Sequence, residues 1–333
     1  MNQKSIFVLV FILFMLIGLY LYNESYELIY DKAIHPLIVE YKNKFNKPSR
    51  HIEKQIIWTY LEEPDFSDKD INIQLLHKSK NFPILFNFCL QIINNKINKK
   101  YNVFKVVTPE NIKEYVPNFP IEMNAESKYP LHFRVNLLAS FLLSEHGGLF
   151  LSPGTLVMKS LDEIMYKLKF NYDLITFGGS TRVINSCDSK YNPGSYVMAA
   201  KKGNELMNLY KEKMLNNLNK DNFINSSTGE DIFANVLSEM KPDKHFHFDC
   251  THTGNVDILN HVIRVKQYYG YEPIQFKDKD NIIFISLPYD IILENQEYQW
   301  FNNLSEDQFF NSNIQLTKLV SGEYQKLNNS QSK

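Results

Sequence analysis

The densest group of possible metal ligands in the chain is the segment His245-Phe246-His247-Phe248-Asp249-Cys250-Thr251-His252. If the segment is a strand, alternate side chains share a face, which places His245, His247 and Asp249 together. Imidazole and carboxylate ligands in combination suit zinc or manganese. No second ligand pair with metal-site spacing accompanies them, so an ordinary structural strand is the alternative. The metal is therefore unknown, and the candidate ligands are His245, His247, Asp249 and His252.

Two acids could act as a general base. Glu230 and Asp231 follow Thr228-Gly229 at the start of a predicted helix. A carboxylate in a cleft can take the proton from a reacting hydroxyl group. Acids in the first turn of a helix are equally explained by their attraction to the helix dipole, so an ordinary helix start is the alternative.

Polar residues near the start of another predicted helix could bind a phosphate or a hydroxyl group. His132 and Arg134 offer cations that would neutralise phosphate charge, although a surface charge at a helix start explains them too. Asn136 has the size of an aspartate and can hydrogen-bond a hydroxyl group.

These residues belong to a stretch with a clear order of elements. Apolar residues recur at helical spacing over residues 135–144, which predicts an amphipathic helix. Gly147-Gly148 ends it, because glycine adopts the left-handed conformation without a clash. Strands are predicted at 149–151 and 155–158. Between them, Ser152-Pro153-Gly154 forms a turn in which Gly154 supplies positive φ.

The elements on either side alternate between strand and helix. Strands are predicted at 52–60, 101–107, 172–177 and 195–200, and helices at 84–95, 204–218 and 229–240. Thr108-Pro109-Glu110 is predicted to cap a further helix. This alternation predicts an α/β fold with helices on both faces of the sheet. The loops after Trp58, Val107 and Leu151 would share the rim where such sheets bind ligands.

The stretch resembles glycosyltransferases of the DXD-sugar-binding, capsular polysaccharide synthesis type. That family carries a helix, then Gly-Gly-apolar-aromatic-apolar, Asp-x-Asp, an apolar strand and Lys-x-Leu. The matching residues here are Gly147, Gly148, Leu149, Phe150, Leu151, Leu156, Val157, Met158, Lys159 and Leu161. Ile56-Ile57-Trp58 is similar to the family's first strand, and Glu110-Asn111-Ile112 stands unchanged after a later one.

The acids of the family's motif are missing. The positions that correspond to Asp-x-Asp are Ser152 and Gly154, and an Asp and an Arg of the preceding helix correspond to Asn136 and Ala139. In the family, those carboxylates hold a divalent cation that stabilises the leaving diphosphate. Three alternatives follow for this chain: a fold that has lost transfer, transfer without a metal, or a metal held by other residues.

The resemblance implies a GT-A-like (Rossmann-like) mixed sheet that transfers a sugar from a nucleotide-sugar donor to a glycan or polysaccharide acceptor. The alternative is an inactive relative that binds glycans or acts as a scaffolding subunit. Mn²⁺ or Mg²⁺ is expected for the family, although the DXD ligands are absent here. The implied donor-binding residues are Trp58, Thr59, Tyr60, Asn111, Arg134, Asn136, Gly147, Gly148, Ser152 and Gly154.

Residues 5–22 form an uncharged apolar run long enough to span a bilayer. Lys4 precedes the run and Glu24 follows it, so the positive-inside rule keeps the N-terminus cytoplasmic. A cleaved signal peptide is the alternative, but no small-x-small site follows. We expect a type II anchor with a lumenal or extracytoplasmic body, in a Golgi-like or ER-like compartment if the chain is eukaryotic or viral.

Composition limits the remaining choices. The chain has 333 residues and a net charge of −1, and no aromatic and basic interleaving indicates a nucleic-acid partner. The domains predicted are a tail (1–4), an anchor (5–22), a stem (23–51), a glycosyltransferase-like domain (52–325) and a disordered tail (326–333). In a lumen, two of the three cysteines could pair. Possible glycan sites are Asn23, Asn225, Asn303 and Asn328.

Overall fold

The computed structural model describes residues 54–62, 83–123, 127–179, 193–219 and 228–331. They all belong to one compact unit, Lys54–Lys333. The predicted anchor, stem and tail at 1–51 lie outside the described residues. Within the described ranges, the helices are too short or too polar to cross a membrane.

A mixed sheet forms the centre of the described body. Its strands are β1 (Gln55–Tyr60), β2 (Asn102–Val107), β3 (Gly148–Leu151), β5 (Leu174–Phe177), β6 (Val197–Ala200) and β7 (His245–Phe248). They lie in the order β2-β1-β3-β6-β5-β7. A smaller antiparallel sheet pairs β4 (Thr155–Val157) with β8 (Phe284–Ser286). Strands β1 to β6 lie close to the predicted ones, β7 is the strand considered for the histidine segment, and β8 was not predicted; the expectation of a mixed α/β fold is confirmed.

Helices flank the sheet. They are α1 (Ile84–Asn95), α2 (Ile112–Tyr115), α3 (Leu131–Glu145), α4 (Asp162–Phe170), α5 (Glu205–Asn219), α6 (Thr228–Met240), α7 (Val265–Tyr268), α8 (Tyr289–Glu294), α9 (Gln296–Asn302), α10 (Glu306–Asn311) and α11 (Gln315–Gln331). A short 3₁₀ turn at Lys279–Asn281 precedes β8.

The strand directions define one functional edge. β1 runs parallel to β2 and β3, and β5 runs parallel to β7, whereas β6 is antiparallel to both of its neighbours. The strands other than β6 therefore end at the same edge. The chain moves from β1 to one side to form β2, then returns past β1 to form β3. Because such crossovers are right-handed, α1 and α3 belong on opposite faces.

Helix α3 is buried nearly all round. All of its residues from Leu131 to Ser144 are buried, because the sheet covers one side while α5 and α6 pack on others. An amphipathic helix would expose one face to solvent, so that prediction is wrong for α3, which has no exposed face from Leu131 to Ser144. The polar residues of α3 lie inside the protein, where each needs a partner.

The C-terminal segment is also more ordered than predicted. Helix α11 continues to Gln331 and so includes most of the tail predicted to be disordered at 326–333. Leu316, Val320 and Glu323 are buried. Glu323 pairs with Lys96 at the end of α1, so tertiary contacts hold a helix whose sequence is largely polar.

Candidate functional site

The candidate site lies where β1 and β3 end side by side. Strand order reverses between these two strands, and open α/β sheets bind ligands in the crevice at such a switch point. Leu61 and Glu62 follow β1, while the Ser152-Pro153-Gly154 turn follows β3. The loop after β2 belongs to the same edge, since Leu61 N–H donates to the carbonyl of Val107 at 2.9 Å.

The opposite end of β3 contains a tightly packed corner. Gly147 and Gly148 have φ values of 71° and 110°, as the sequence predicted for the end of the helix. The indole N–H of Trp58 donates to the carbonyl of Gly147 at 2.9 Å. Trp58 is only 1% exposed and lies against Tyr115 and His146. Trp58, Gly147 and Gly148, which were predicted to bind the donor, therefore meet, but their described contacts hold β1 and β3 together within the core.

The turn after β3 forms where predicted but for a different reason at Gly154. Thr155 N–H donates to the carbonyl of Ser152 at 3.0 Å, which closes the turn. The residues with positive φ do not include Gly154. Glycine is needed there because a Cβ would stand 2.7 Å from the carbonyl oxygen of Leu287. Ser152 is buried, and its hydroxyl lies 3.2 Å from that of Thr155.

Arg134 contacts the loop after β1. Its Nη1 lies 2.6 Å from Oε1 of Glu62, and its Nε donates to the carbonyl of Tyr129 at 3.0 Å. The Arg134 side chain is 5% exposed and that of Glu62 is 25% exposed, so the ion pair is largely shielded from water. The cation predicted from the sequence is therefore at the switch point, already paired with a carboxylate that a diphosphate would have to displace.

His132 belongs to a buried cluster that the sequence did not reveal. Its Nδ1 lies 3.6 Å from Oδ2 of Asp290, and the hydroxyl of Tyr196 donates to Oδ1 of Asp290 at 3.2 Å. The carbonyl of Tyr196 in turn accepts from Ser152 N–H at 2.8 Å. Asp290 is thus a buried carboxylate two hydrogen bonds away from the turn that lacks acids. No motif in the sequence marks Asp290.

The remaining candidates on β1, Thr59 and Tyr60, are buried. Thr59 is 0% exposed, and its hydroxyl has no hydrogen-bond partner within the described ranges. Tyr60 donates to the carbonyl of Met123 at 2.8 Å. Burial, with a smaller effect of Glu62, raises the pKa of Tyr60 above its ordinary value, so the phenol stays protonated.

Asn111 fixes the loop after β2 rather than leaving its amide free. Its Oδ1 accepts from Thr108 N–H at 2.8 Å, and its Nδ2 donates to the carbonyl of Val106 at 3.0 Å. The predicted cap at Thr108-Pro109-Glu110 is in place, since the Thr108 hydroxyl accepts from Asn111 N–H at 3.4 Å and the Thr108 carbonyl accepts from Ile112 N–H at 3.1 Å, just before α2 begins.

A second group joins α3 to α6. A Cβ on Gly229 would stand 2.4 Å from Nδ2 of Asn136, so these two residues are in close contact. Glu230 is buried, and its charge adds to the burial that raises the pKa of Tyr210. Asp231 is exposed. Asn136 of α3 therefore contacts the start of α6, Glu230 is buried near Tyr210 of α5, and Asp231 faces solvent.

The histidine segment does not form a metal centre. His245 and His247 share a face, as predicted, and their Nε2 and Nδ1 atoms lie 2.7 and 2.9 Å from the hydroxyl oxygen of Thr176. Asp249 follows the strand and pairs with His252 at 2.9 Å instead, because the chain turns there. In the described part of the chain, no group of three or more His, Cys, Asp or Glu residues could hold a metal ion.

The cysteines differ in state. Cys89 is a free, buried thiol, and burial raises its pKa to about 12. Cys250 is disulfide-bonded, and the third cysteine, Cys187, lies outside the described residues.

Comparison with known proteins gives little direct evidence of function. No known family matches the sequence, and neither does any curated protein. Among solved structures, the chain is similar to the glycosyltransferase GlyE of Streptococcus pneumoniae TIGR4, with 11% sequence identity and a TM-score of 0.39. The similarity covers 84% of this chain and 63% of that one, so this chain spans less than two thirds of its length.

Proposed function

We propose that the chain is a glycosyltransferase-like protein of the GT-A kind that binds a nucleotide-sugar donor where β1 and β3 end. The observation that carries the proposal is the reversal of strand order at this point, beside the turn that corresponds to the family's Asp-x-Asp. The motif residues of the resemblance support the same place. A membrane anchor in residues 5–22 would keep the enzyme near a glycan or polysaccharide acceptor.

Donor binding in this proposal depends on Arg134 and not on a metal held by the turn. Neither Ser152 nor Gly154 supplies a carboxylate, and the hydroxyl of Ser152 already lies within hydrogen-bond distance of Thr155. A guanidinium group can hold a diphosphate through two parallel hydrogen bonds. Arg134 stands ready for this role, because Glu62 keeps its charge paired until the donor arrives.

The inactive alternative also has a specific observation in its favour. A second acid cannot be restored to the turn without moving the backbone, because a Cβ at Gly154 meets the Leu287 carbonyl. The chain would then retain the donor pocket as a glycan-binding or scaffolding subunit. Hydrolysis or transfer of bound donor separates the two, since only the active form releases free nucleotide diphosphate.

Calorimetric titration of the full-length protein in nanodiscs tests the proposal. UDP-glucose, UDP-N-acetylglucosamine and GDP-mannose are added with and without Mn²⁺. We expect one of them to bind without Mn²⁺, and Arg134→Gln to weaken binding at least tenfold, which corresponds to one charge-assisted contact of about 1.5 kcal/mol or more. Glu62→Gln should bind at least as well as the parent, because it releases Arg134.

Arg264→Gln is the matched control, since Arg264 is an exposed arginine outside the candidate site. The proposal fails if none of the donors binds, or if Arg134→Gln and Arg264→Gln behave alike. Tight binding that requires Mn²⁺ would instead point to carboxylates away from the turn, with Asp290 the first to replace.

A further inference from the structure

A pocket of about 460 Å³ lies in the segment that follows β7. One wall is the turn that begins at Asp257, Ile258 and Leu259, and the other consists of α7 and the extended residues up to Gln275. This volume lies within the range of about 300–1,000 Å³ that is usual for small-molecule sites. No residue of the candidate donor site lines this pocket.

The walls of the pocket are fixed by hydrogen bonds. Oδ1 of Asp257 accepts from the backbone N–H groups of Leu259 and His261 at 2.9 and 2.8 Å. Ile258 N–H donates to the carbonyl of Gln275 at 2.9 Å, which joins the two walls at one end. A pocket held in this way loses little conformational entropy when a ligand binds.

The rim of the pocket exposes large apolar side chains. Ile258 is 53% exposed and Leu259 is 66% exposed. Tyr271, which lies between two residues that line the pocket, is 72% exposed. Ile258 and Leu259 are adjacent and both line the pocket, and exposed apolar groups at a pocket are typical of a binding surface.

The polar lining limits the chemistry of the ligand. Lys266 contributes one positive charge, while Asp257 and Glu272 contribute two negative charges. A surplus of negative charge disfavours phosphates and nucleotides. The side-chain amides of Gln267 and Gln275 can donate hydrogen bonds to hydroxyl groups and accept them, and the carboxylate of Glu272 can accept them. Apolar groups beside such hydrogen-bonding groups match the two faces of a neutral sugar ring.

The pocket also has a suitable position. β7 ends at the same edge of the sheet as β1 and β3, and the chain then passes Asn255, whose Nδ2 donates to the carbonyl of Gly179 after β5. The segment that forms the pocket therefore leaves the sheet on the side of the candidate donor site.

We propose that this pocket binds a neutral oligosaccharide segment of the acceptor, about one or two sugar units long. The inference rests on the proposed function, because the bound oligosaccharide is an acceptor only if the protein transfers a sugar to it from a donor on the same side. The pocket holds the acceptor chain and takes no part in the chemistry.

The test uses saturation-transfer NMR on the full-length protein in nanodiscs. The probes are neutral trisaccharides of glucose, mannose and N-acetylglucosamine, with sialyllactose as an acidic comparison. We expect at least one neutral trisaccharide to bind and sialyllactose not to bind. Leu259→Asp should reduce binding at least tenfold, and Gln275→Ala should reduce it as well. Tyr166→Asp, which changes an exposed aromatic residue on α4, should leave binding unchanged.

Donor titration of the same Leu259→Asp variant keeps this inference separate from the proposed function. If the parent binds a donor but binds no trisaccharide, the pocket assignment alone is overturned. Trisaccharide binding without any donor binding overturns the donor site alone. Binding of the apolar dye anilinonaphthalene sulfonate, lost in Leu259→Asp, together with no trisaccharide binding, would identify an apolar docking surface and overturn the inference.

Discussion

Replacement of Gly148 by alanine should destabilise the protein much more than the same change at Gly203. Both glycines have positive φ, 110° and 73°. A Cβ at Gly148 would stand 2.2 Å from the carbonyl oxygen of Ile56 on β1, whereas a Cβ at Gly203 would meet nothing within 4 Å. The pair therefore separates the cost of backbone strain from the cost of crowding.

The expected magnitudes follow from these two differences. Left-handed backbone costs an L-residue about 1–2 kcal/mol, which is the whole cost at Gly203. At Gly148 a backbone atom must also move, and overpacking of this kind adds about 1–3 kcal/mol or more. The free energy of unfolding should therefore fall by about 1–3 kcal/mol more in Gly148→Ala than in Gly203→Ala. At about 2–4 °C per kcal/mol, the difference in Tm is about 2–12 °C.

Thermal unfolding of the full-length variants, followed by tryptophan fluorescence, measures the difference because Trp58 reports directly on this corner. Gly203→Ala serves as the control for strain alone. Equal Tm values for the two variants would mean that β1 and β3 do not approach as closely at Gly148 as described. The alignment of the two strand ends that form the candidate site would then lose its basis.

Three further predictions concern titratable groups. Cys89 should not react with iodoacetamide at pH 9 in the folded protein and should react on denaturation, because burial raises its pKa to about 12; labelling of the native thiol would contradict its burial. Burial lowers the pKa of His146 below its ordinary value of 6.5, so the unfolded chain binds more protons and stability should fall as pH drops from 6.5 towards the folded pKa; His146→Gln should flatten that part of a Tm–pH curve. Lys96→Ala should cost about 1.5–3 kcal/mol, because it removes one charge-assisted hydrogen bond of Glu323 while Lys326 keeps the carboxylate paired. Lys326→Ala should cost less than about 1 kcal/mol, because the Lys326 side chain is 71% exposed; equal costs in urea unfolding would refute this distinction.

Local features of the sequence predicted much of the fold. Helix α1 has the bounds predicted from Pro83 and the apolar spacing, because both signals act within a few residues. The positive φ values of Gly147 and Gly148 followed from the same local chemistry. The shared edge of the first strands also followed, since parallel strands joined by helices must end together.

Features that depend on distant contacts were not predictable. Asp290 meets Tyr196 across 94 positions of sequence, and nothing in the residues around it indicates that pairing. Glycine is needed at position 154 because Leu287 approaches closely, whereas the sequence analysis attributed this need to a positive φ. The burial of α3 arises from the packing of α5 and α6, which periodicity within α3 does not contain.

The pairing of Lys96 with Glu323 joins residues 227 positions apart, and Phe88 of α1 also packs against Phe309, Phe310 and Tyr324. During synthesis, Lys96 and the aromatic surface of helix α1 therefore stay uncovered until α10 and α11 have been made. The body should remain vulnerable to aggregation until translation is nearly finished. A nonsense mutation shortly before α11 would then leave α1 without its cover, although α1 is encoded more than two hundred codons earlier.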